Sequence, residues 1–281
     1  MPEYIDSHVH LWKIERGDYE WLTPESGILY RDYEYEELEP LLDEHRVRGV
    51  VAVQAAPSLQ ETEYLLSLAE QYPRILGVVG WTDLAADYSE SAIVWLAEQQ
   101  LLSGIRLDAR FAASYTGGAK QVLLNRLAYL ISRGMVLDWL ISPGVREVLL
   151  DVMKELPEMT AVVNHLAAPP FTAEGYAVWL SQMEQLSHYP NTFVKLSGMI
   201  TQGDGQQQDR HIPYADAAIE LFGSQRLLFG SDWPVALNGG SYGDTIRYME
   251  QLLPNHWDDE ARAAVRKGNA IRIYKLERQA E

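Results

Sequence analysis

Eight short apolar runs alternate along this chain with segments of helical periodicity. The runs are Tyr4–His10, Gly49–Ala55, Ile75–Trp81, Leu102–Leu107, Met135–Leu140, Thr160–His165, Thr192–Ser197 and Arg226–Asp232. Several are almost continuously apolar, as in Val50-Val51-Ala52-Val53 and Ala161-Val162-Val163. Such runs suit strands of a parallel sheet covered on both faces, not the in-and-out alternation of a half-exposed one. Between them the pattern predicts helices over about 34–46, 59–72, 87–99, 119–133, 144–156, 173–187, 212–222 and 242–252, with a last one over 258–267. Gly49, Gly77, Gly104, Gly134 and Gly223 fall where helices end or strands begin. Eight β/α alternations predict one (β/α)8 TIM barrel domain over residues 1–281. An open doubly wound α/β sheet is the competing arrangement, but no glycine-rich phosphate loop follows the first run. The stretch Gly203 to Asp209, rich in Gly and Gln, reads as a mobile loop after strand seven.

Such barrels place their chemistry at the C-terminal ends of the strands. The first run ends in Asp6-Ser7-His8-Val9-His10-Leu11-Trp12. Strand alternation puts His8 and His10 on one face, roughly 6.6 Å apart. Two imidazoles so spaced can converge on one ion at about 2.0–2.1 Å. Seven histidines in 281 residues give about 0.17 His-x-His pairs by chance, so the motif needs support from the rest of the chain. Other strand ends supply it. Strand four carries Arg106 and Asp108, strand six ends in Asn164-His165, strand seven contains Lys195, and strand eight ends in Ser231-Asp232-Trp233-Pro234.

Each of these groups has a reading. His165 either acts in the site or orients a neighbour. Arg106 is a bidentate clamp for carboxylate or hydroxyl groups, or the salt-bridge partner of Asp108. Lys195 faces the mouth or a structural partner, and Gln54 and Glu61 bind substrate or build loop two. Trp12, Trp21, Trp81, Trp139 and Trp233 fall at or just beyond strand ends, where an indole offers a flat face to a sugar ring; core packing is the other use of such residues. Tyr30, Tyr33 and Tyr35 form a lid or packing. His211 is a substrate contact in the loop after strand seven, while His45, His188 and His256 read as surface residues.

Charge narrows the partners. Lys and Arg number 23 against 40 Asp and Glu, a formal charge of −17. That repels nucleic acid and acidic membranes and favours a small-molecule substrate. With no cysteine, any metal must be held by histidine and carboxylate. No signal peptide or membrane-length apolar run is visible, so a cytoplasmic protein is expected. Oligomeric state is not encoded in any pattern found.

Ile5-Asp6-Ser7-His8-Val9-His10, Asn164-His165, Phe229-Gly230-Ser231-Asp232-Trp233-Pro234 and Gly268-Asn269-Ala270 together resemble the amidohydrolase superfamily. Asp18-Tyr19-Glu20-Trp21-Leu22, Val53-Gln54-Ala55, Glu61-Thr62-Glu63, Gly77-Val78-Val79-Gly80-Trp81 and Val194-Lys195-Leu196-Ser197-Gly198 narrow this to the amidohydrolase-2 group of sugar lactonases and 2-pyrone-4,6-dicarboxylate lactonase. The resemblance implies a hydrolase that opens a lactone ring, with Asp232 as general base on water and His165 beside it. It implies His8, His10 and Asp232 as metal ligands. Binuclear members of the superfamily carry a carboxylated lysine at the end of strand four and a histidine at the end of strand five. Here those places hold Arg106-Leu107-Asp108 and Asp138-Trp139, so one zinc or manganese ion, or none, is expected. The tryptophans favour an aldonolactone, such as an L-fucono- or L-rhamnono-lactone. A dicarboxylated pyrone would need several converging cations, for which only Arg106, Arg110, Lys195 and Arg210 are candidates, two of them in loops of unfixed direction. A metal-dependent decarboxylase of the same superfamily and a non-catalytic binding barrel are the alternatives.

Overall fold

A computed structural model describes residues 2–84, 89–142, 146–201 and 208–276. Its strands are β1 (Tyr4–Val9), β2 (Val47–Val53), β3 (Ile75–Gly80), β4 (Leu102–Asp108), β5 (Val136–Leu140), β6 (Ala161–Val163), β7 (Thr192–Leu196) and β8 (Leu227–Phe229). All pair in parallel and in sequence order. Beyond β8 the chain returns to β1. Val9 bridges Trp233, Asp232 N donates to His8 O at 2.9 Å, and His10 N donates to Trp233 O at 2.7 Å. The sheet is thus a nearly closed (β/α)8 barrel, as the alternation predicts.

Two cores explain the continuous apolar runs. Inward residues Ile5, Val51, Val53, Val79, Val136, Val162, Phe193 and Leu228 fill the barrel. Outward residues such as Val50, Ile105, Val163 and Val194 pack under helices through Leu38, Leu65, Leu127, Leu149 and Trp179. Gly104 permits close contact of β4 with β5, since a Cβ there would meet Val136 O at 2.6 Å.

The helices are α1 (Tyr35–Glu44), α2 (Leu59–Gln71), α3 (Ser89–Glu98), α4 (Ala109–Ser114), α5 (Gly117–Ser132), α6 (Arg146–Glu155), α7 (Ala173–Ser187), α8 (Ile212–Phe222), α9 (Tyr242–Leu252), α10 (Asp259–Ala263) and α11 (Asn269–Tyr274). Two differ from the sequence reading. Asp108 caps the extra helix α4 by accepting from Arg110 N, so the helical chain resumes nearer to β4 than expected. The final helix does not stop at 267. It passes through a π-helical turn, Ala264–Gly268, into α11. There Ile273 and Tyr274 join the barrel interior and stop its floor. Residues 202–207, most of the expected mobile loop, lie outside the described residues. No helix among the described residues is long and apolar enough to cross a membrane.

Candidate active site

The site begins with Asp6, which the sequence reading passed over. This buried carboxylate accepts from His8 N (3.0 Å), Ser231 N (2.9 Å) and the Tyr242 hydroxyl (2.8 Å). It pins the end of β1 to the end of β8. Burial pushes its pKa up to about 6, while Ser231, His8 and Tyr242 restrain the rise.

His8 and His10 project from this junction with their Nε2 atoms 3.2 Å apart. His10 Nδ1 donates to Val53 O at 2.8 Å, which leaves its Nε2 as an acceptor. His8 Nδ1 lies 3.2 Å from Lys195 Nζ. An ammonium can only donate, so the His8 hydrogen sits on Nε2 and points toward His10. Burial and the charge of Lys195 hold His8 well below the usual imidazole range. Lys195 is itself fully buried and pairs with Asp138 at 3.1 Å. Tyr274 from α11 donates a short hydrogen bond to the same carboxylate. Lys195 therefore does not line the cavity; of its two expected directions the structure shows the structural partner, since a buried ammonium needs a carboxylate and Asp138 is it. Burial lowers its pKa and Asp138 opposes that fall.

Asp232 faces three imidazoles. Its Oδ1 is 3.4 Å from His10 Nε2, 3.6 Å from His8 Nε2 and 3.9 Å from His165 Nε2. Burial raises its pKa, but His165, His10 and Arg106 outweigh burial and hold it below the usual carboxylate value. His165 Nδ1 hydrogen-bonds Ser197 Oγ at 2.9 Å. Burial pushes its pKa down to about 4 against the pull of Asp232. Both residues have left-handed backbones, φ 63° at Asp232 and 53° at His165. Non-glycine residues held there store strain of about 1–3 kcal/mol and cluster at functional sites. Gly198 completes the support, since a Cβ on it would meet His165 Nδ1 at 2.7 Å.

His8, His10 and Asp232 offer ligand atoms that all lie within 4.8 Å of one another. A tetrahedral ion at about 2.0–2.1 Å spaces its ligands about 3.4 Å apart. The three separations of 3.2, 3.4 and 3.6 Å fit that spacing. These residues can hold one divalent ion, provided His8 gives up its Nε2 hydrogen. Among the described residues they form the one such group. The places of bridging ligands on β4 and β5 are taken by Arg106 and by Asp138, which is committed to Lys195.

Above these groups lies a cavity of about 560 Å³. His10, His165 and Asp232 line it with Gln54, Arg106, Trp21 and Trp81, alongside Glu20, Asp108 and Arg110. Arg106 is buried and donates from Nη1 to Gln54 O at 2.9 Å, while its Nε has no hydrogen-bond partner. Asp108 is not its partner; Arg110 takes that carboxylate at 2.6 Å. Burial lowers the Arg106 pKa, and Asp138 and Asp232 offset part of this.

Other expected cavity residues lie behind the wall. Glu61 is fully buried and accepts from the Tyr19 hydroxyl (2.7 Å) and Ala55 N (3.0 Å), with Arg16 at 3.3 Å. Burial raises it to about 7, opposed by Tyr19, Ala55 and Arg16. Trp12 is also fully buried; its indole donates to Arg31 O and packs edge-on behind Trp21 at 5.4 Å. Trp139 and Trp233 are core residues. His211 is buried against Phe171 and does not line the cavity. Tyr33 and Tyr35 are buried packing, whereas Tyr30 is exposed. Glu20, at the rim, had no signal beyond its place in the Asp18–Leu22 motif.

A parallel eight-stranded barrel with a His-x-His pair on its first strand, a histidine after its sixth and an aspartate after its eighth gathers its polar groups at the C-terminal mouth, where barrels of this class carry their sites. The chain belongs to the amidohydrolase family, whose sequence profile matches residues 5–276. It is 33% identical to an L-fucono-1,5-lactonase of Burkholderia ambifaria over 99% of this chain and 97% of that one. An L-fucono-1,5-lactonase of Burkholderia multivorans is 32% identical over the same shares. Among solved structures, an amidohydrolase from Burkholderia multivorans with bound zinc superposes with a TM-score of 0.88 at 31% identity, covering 98% of this chain and 100% of that one.

Proposed function

We propose that this protein hydrolyses a sugar lactone, an aldonolactone of the L-fucono or L-rhamnono kind, to its open-chain acid. The observation that carries this reading is Asp232. It is an ionised carboxylate ringed by imidazoles at the foot of a cavity, beside a guanidinium that has no acid of its own. Two full-length relatives named as L-fucono-1,5-lactonases support the substrate class.

The chain's own groups suffice to describe the proton movements. Asp232 takes a proton from water as the water oxygen attacks the lactone carbonyl. Arg106, which lines the cavity and gives Nη1 to Gln54 O, holds the oxyanion that forms through its remaining donors. Collapse breaks the bond from the carbonyl carbon to the ring oxygen, and Asp232 returns the proton to that oxygen. The acid product then loses its own proton to solvent. A divalent ion held by His8, His10 and Asp232 would polarise the carbonyl and lower the pKa of water, and a relative solved with bound zinc supports a metal in this family.

The cations of the cavity favour a neutral ring over a dicarboxylated pyrone. Arg110 is spent on Asp108, and Lys195 is sealed under His8 by Asp138. Arg210 is exposed and lines another groove. Arg106 alone among these four presents an unpaired charge to the cavity. Trp21 and Trp81 offer faces on which a sugar ring can stack. The test compares kcat/KM on L-fucono-1,5-lactone and on 2-pyrone-4,6-dicarboxylate with a pH indicator. Faster turnover of the sugar lactone is expected. A tenfold preference for the pyrone, about 1.4 kcal/mol of transition-state binding, would overturn the reading.

A further inference from the structure

Three acids line the cavity, and two are committed. Asp232 sits among the imidazoles, and Asp108 is bound to Arg110 and caps α4. Glu20, by contrast, makes no ion pair or hydrogen bond among the described residues, although Arg16 and Arg31 lie on the same loop. Its neighbour Trp21 is 42% exposed, and the indole N–H of Trp21 is already given to Ala55 O at 2.8 Å. Trp21 therefore shows the cavity an apolar face and no donor, with an unpartnered carboxylate next to it.

The loop that carries this pair is held firmly. Trp12 and Tyr33 exchange two backbone hydrogen bonds across its base. Arg16 and Asp18 pair at 2.6 Å, Ser58 donates to Asp18 at 2.6 Å, and Tyr19 donates to the buried Glu61. Residues on both sides of Glu20 are thus tied to loop two. The carboxylate is left at the rim by a fixed backbone.

We propose that Glu20 is a specificity-determining residue that accepts hydrogen bonds from ring hydroxyls of a substrate stacked on Trp21. This rests on the sugar-lactone reading above and assigns the end of the cavity that reading leaves open. A hydroxyl is a donor, and a carboxylate can take two at once. An aromatic face beside a free carboxylate matches a polyol ring, whose C–H face is apolar and whose edge carries donors. The arrangement also orients the lactone. The carbonyl goes to Asp232 and Arg106, and the hydroxyl-bearing edge goes to Glu20, since the carboxylate formed on turnover would be repelled from a second acid.

The test uses two lactones with the full chain: L-fucono-1,5-lactone and δ-valerolactone, which has the ring and no hydroxyls. Glu20 is exposed, so Glu20→Gln and Glu20→Ala should fold normally, with circular dichroism as the check. The ratio of kcat/KM for the sugar lactone over δ-valerolactone is expected to fall tenfold or more in Glu20→Ala, chiefly through KM, and by less in Glu20→Gln, which keeps one acceptor oxygen. A fall of less than threefold in Glu20→Ala, or an equal loss on both lactones, would overturn the assignment. If the unaltered enzyme turned over no aldonolactone, the sugar-lactone reading itself would fail, and that result is distinct from either.

Discussion

At the scale of single residues, the proposed mechanism turns on Asp232. Asn in its place keeps the size and one acceptor but cannot take a proton. Asp232→Asn is expected to fold and to lose roughly 10²–10⁴-fold in kcat, measured by steady-state kinetics; near-normal turnover would end the proposed mechanism. Because its surroundings hold Asp232 below the usual carboxylate value, kcat/KM should stay level as pH falls toward 5. His8, His10, His165 and Asp232 were legible because each motif lies within a few residues at a strand end, where alternation alone fixes the face. For Lys195, Glu61, Trp12 and His211 the sequence could not choose between cavity and wall, because a side chain's partner settles its direction. Those partners are distant in sequence: Asp138 is 57 residues from Lys195, and Tyr19 is 42 from Glu61. Asp6 escaped notice for the same reason, its partner Tyr242 lying 236 residues away.

Among the elements, the loop between β1 and α1 is the one whose stability should respond to pH. Glu61, at its anchor, is raised by burial to about 7 from 4.5. A carboxyl with a raised folded-state pKa favours folding most when protonated. Its contribution is complete below about pH 4.5 and is lost as pH climbs through about 7. The span corresponds to on the order of 3 kcal/mol. Thermal unfolding should therefore show Tm falling from pH 5 to 8, and Glu61→Gln, neutral at every pH, should flatten that fall. An unchanged slope in the variant would assign the pH dependence elsewhere, with Asp6 the next group to test. Strand and helix positions were readable from the apolar runs within a few residues. Helix α4 and the continuation through the π turn were not, because an N-cap and a shift in hydrogen bonding leave no periodic trace.

On the scale of the whole molecule, the barrel brings together, among the described residues, one group of ligands for one ion. Elemental analysis of the purified protein is expected to give at most one equivalent of zinc or manganese, removed by the His8→Ala/His10→Ala double variant. Two equivalents at the mouth, or full occupancy in the double variant, would contradict the ligand set. The barrel itself was legible because eight repeats of one pattern admit few arrangements. The way its floor is stopped was not, since it depends on where the last helix comes to rest.

That last helix has a consequence for how the enzyme comes into being. His8 is among the first residues a ribosome makes, yet the Lys195–Asp138 pair that sets its ring hydrogen is capped by Tyr274 of α11. The strand that carries His8 also gains its second neighbour only when β8 is made. Synthesis from the N-terminus thus yields the imidazoles of His8 and His10 early and the residues that set them last. A chain that stops short of α11 lacks the Tyr274 cap on the Lys195–Asp138 pair, so the setting of a residue near one end of the chain depends on a residue near the other.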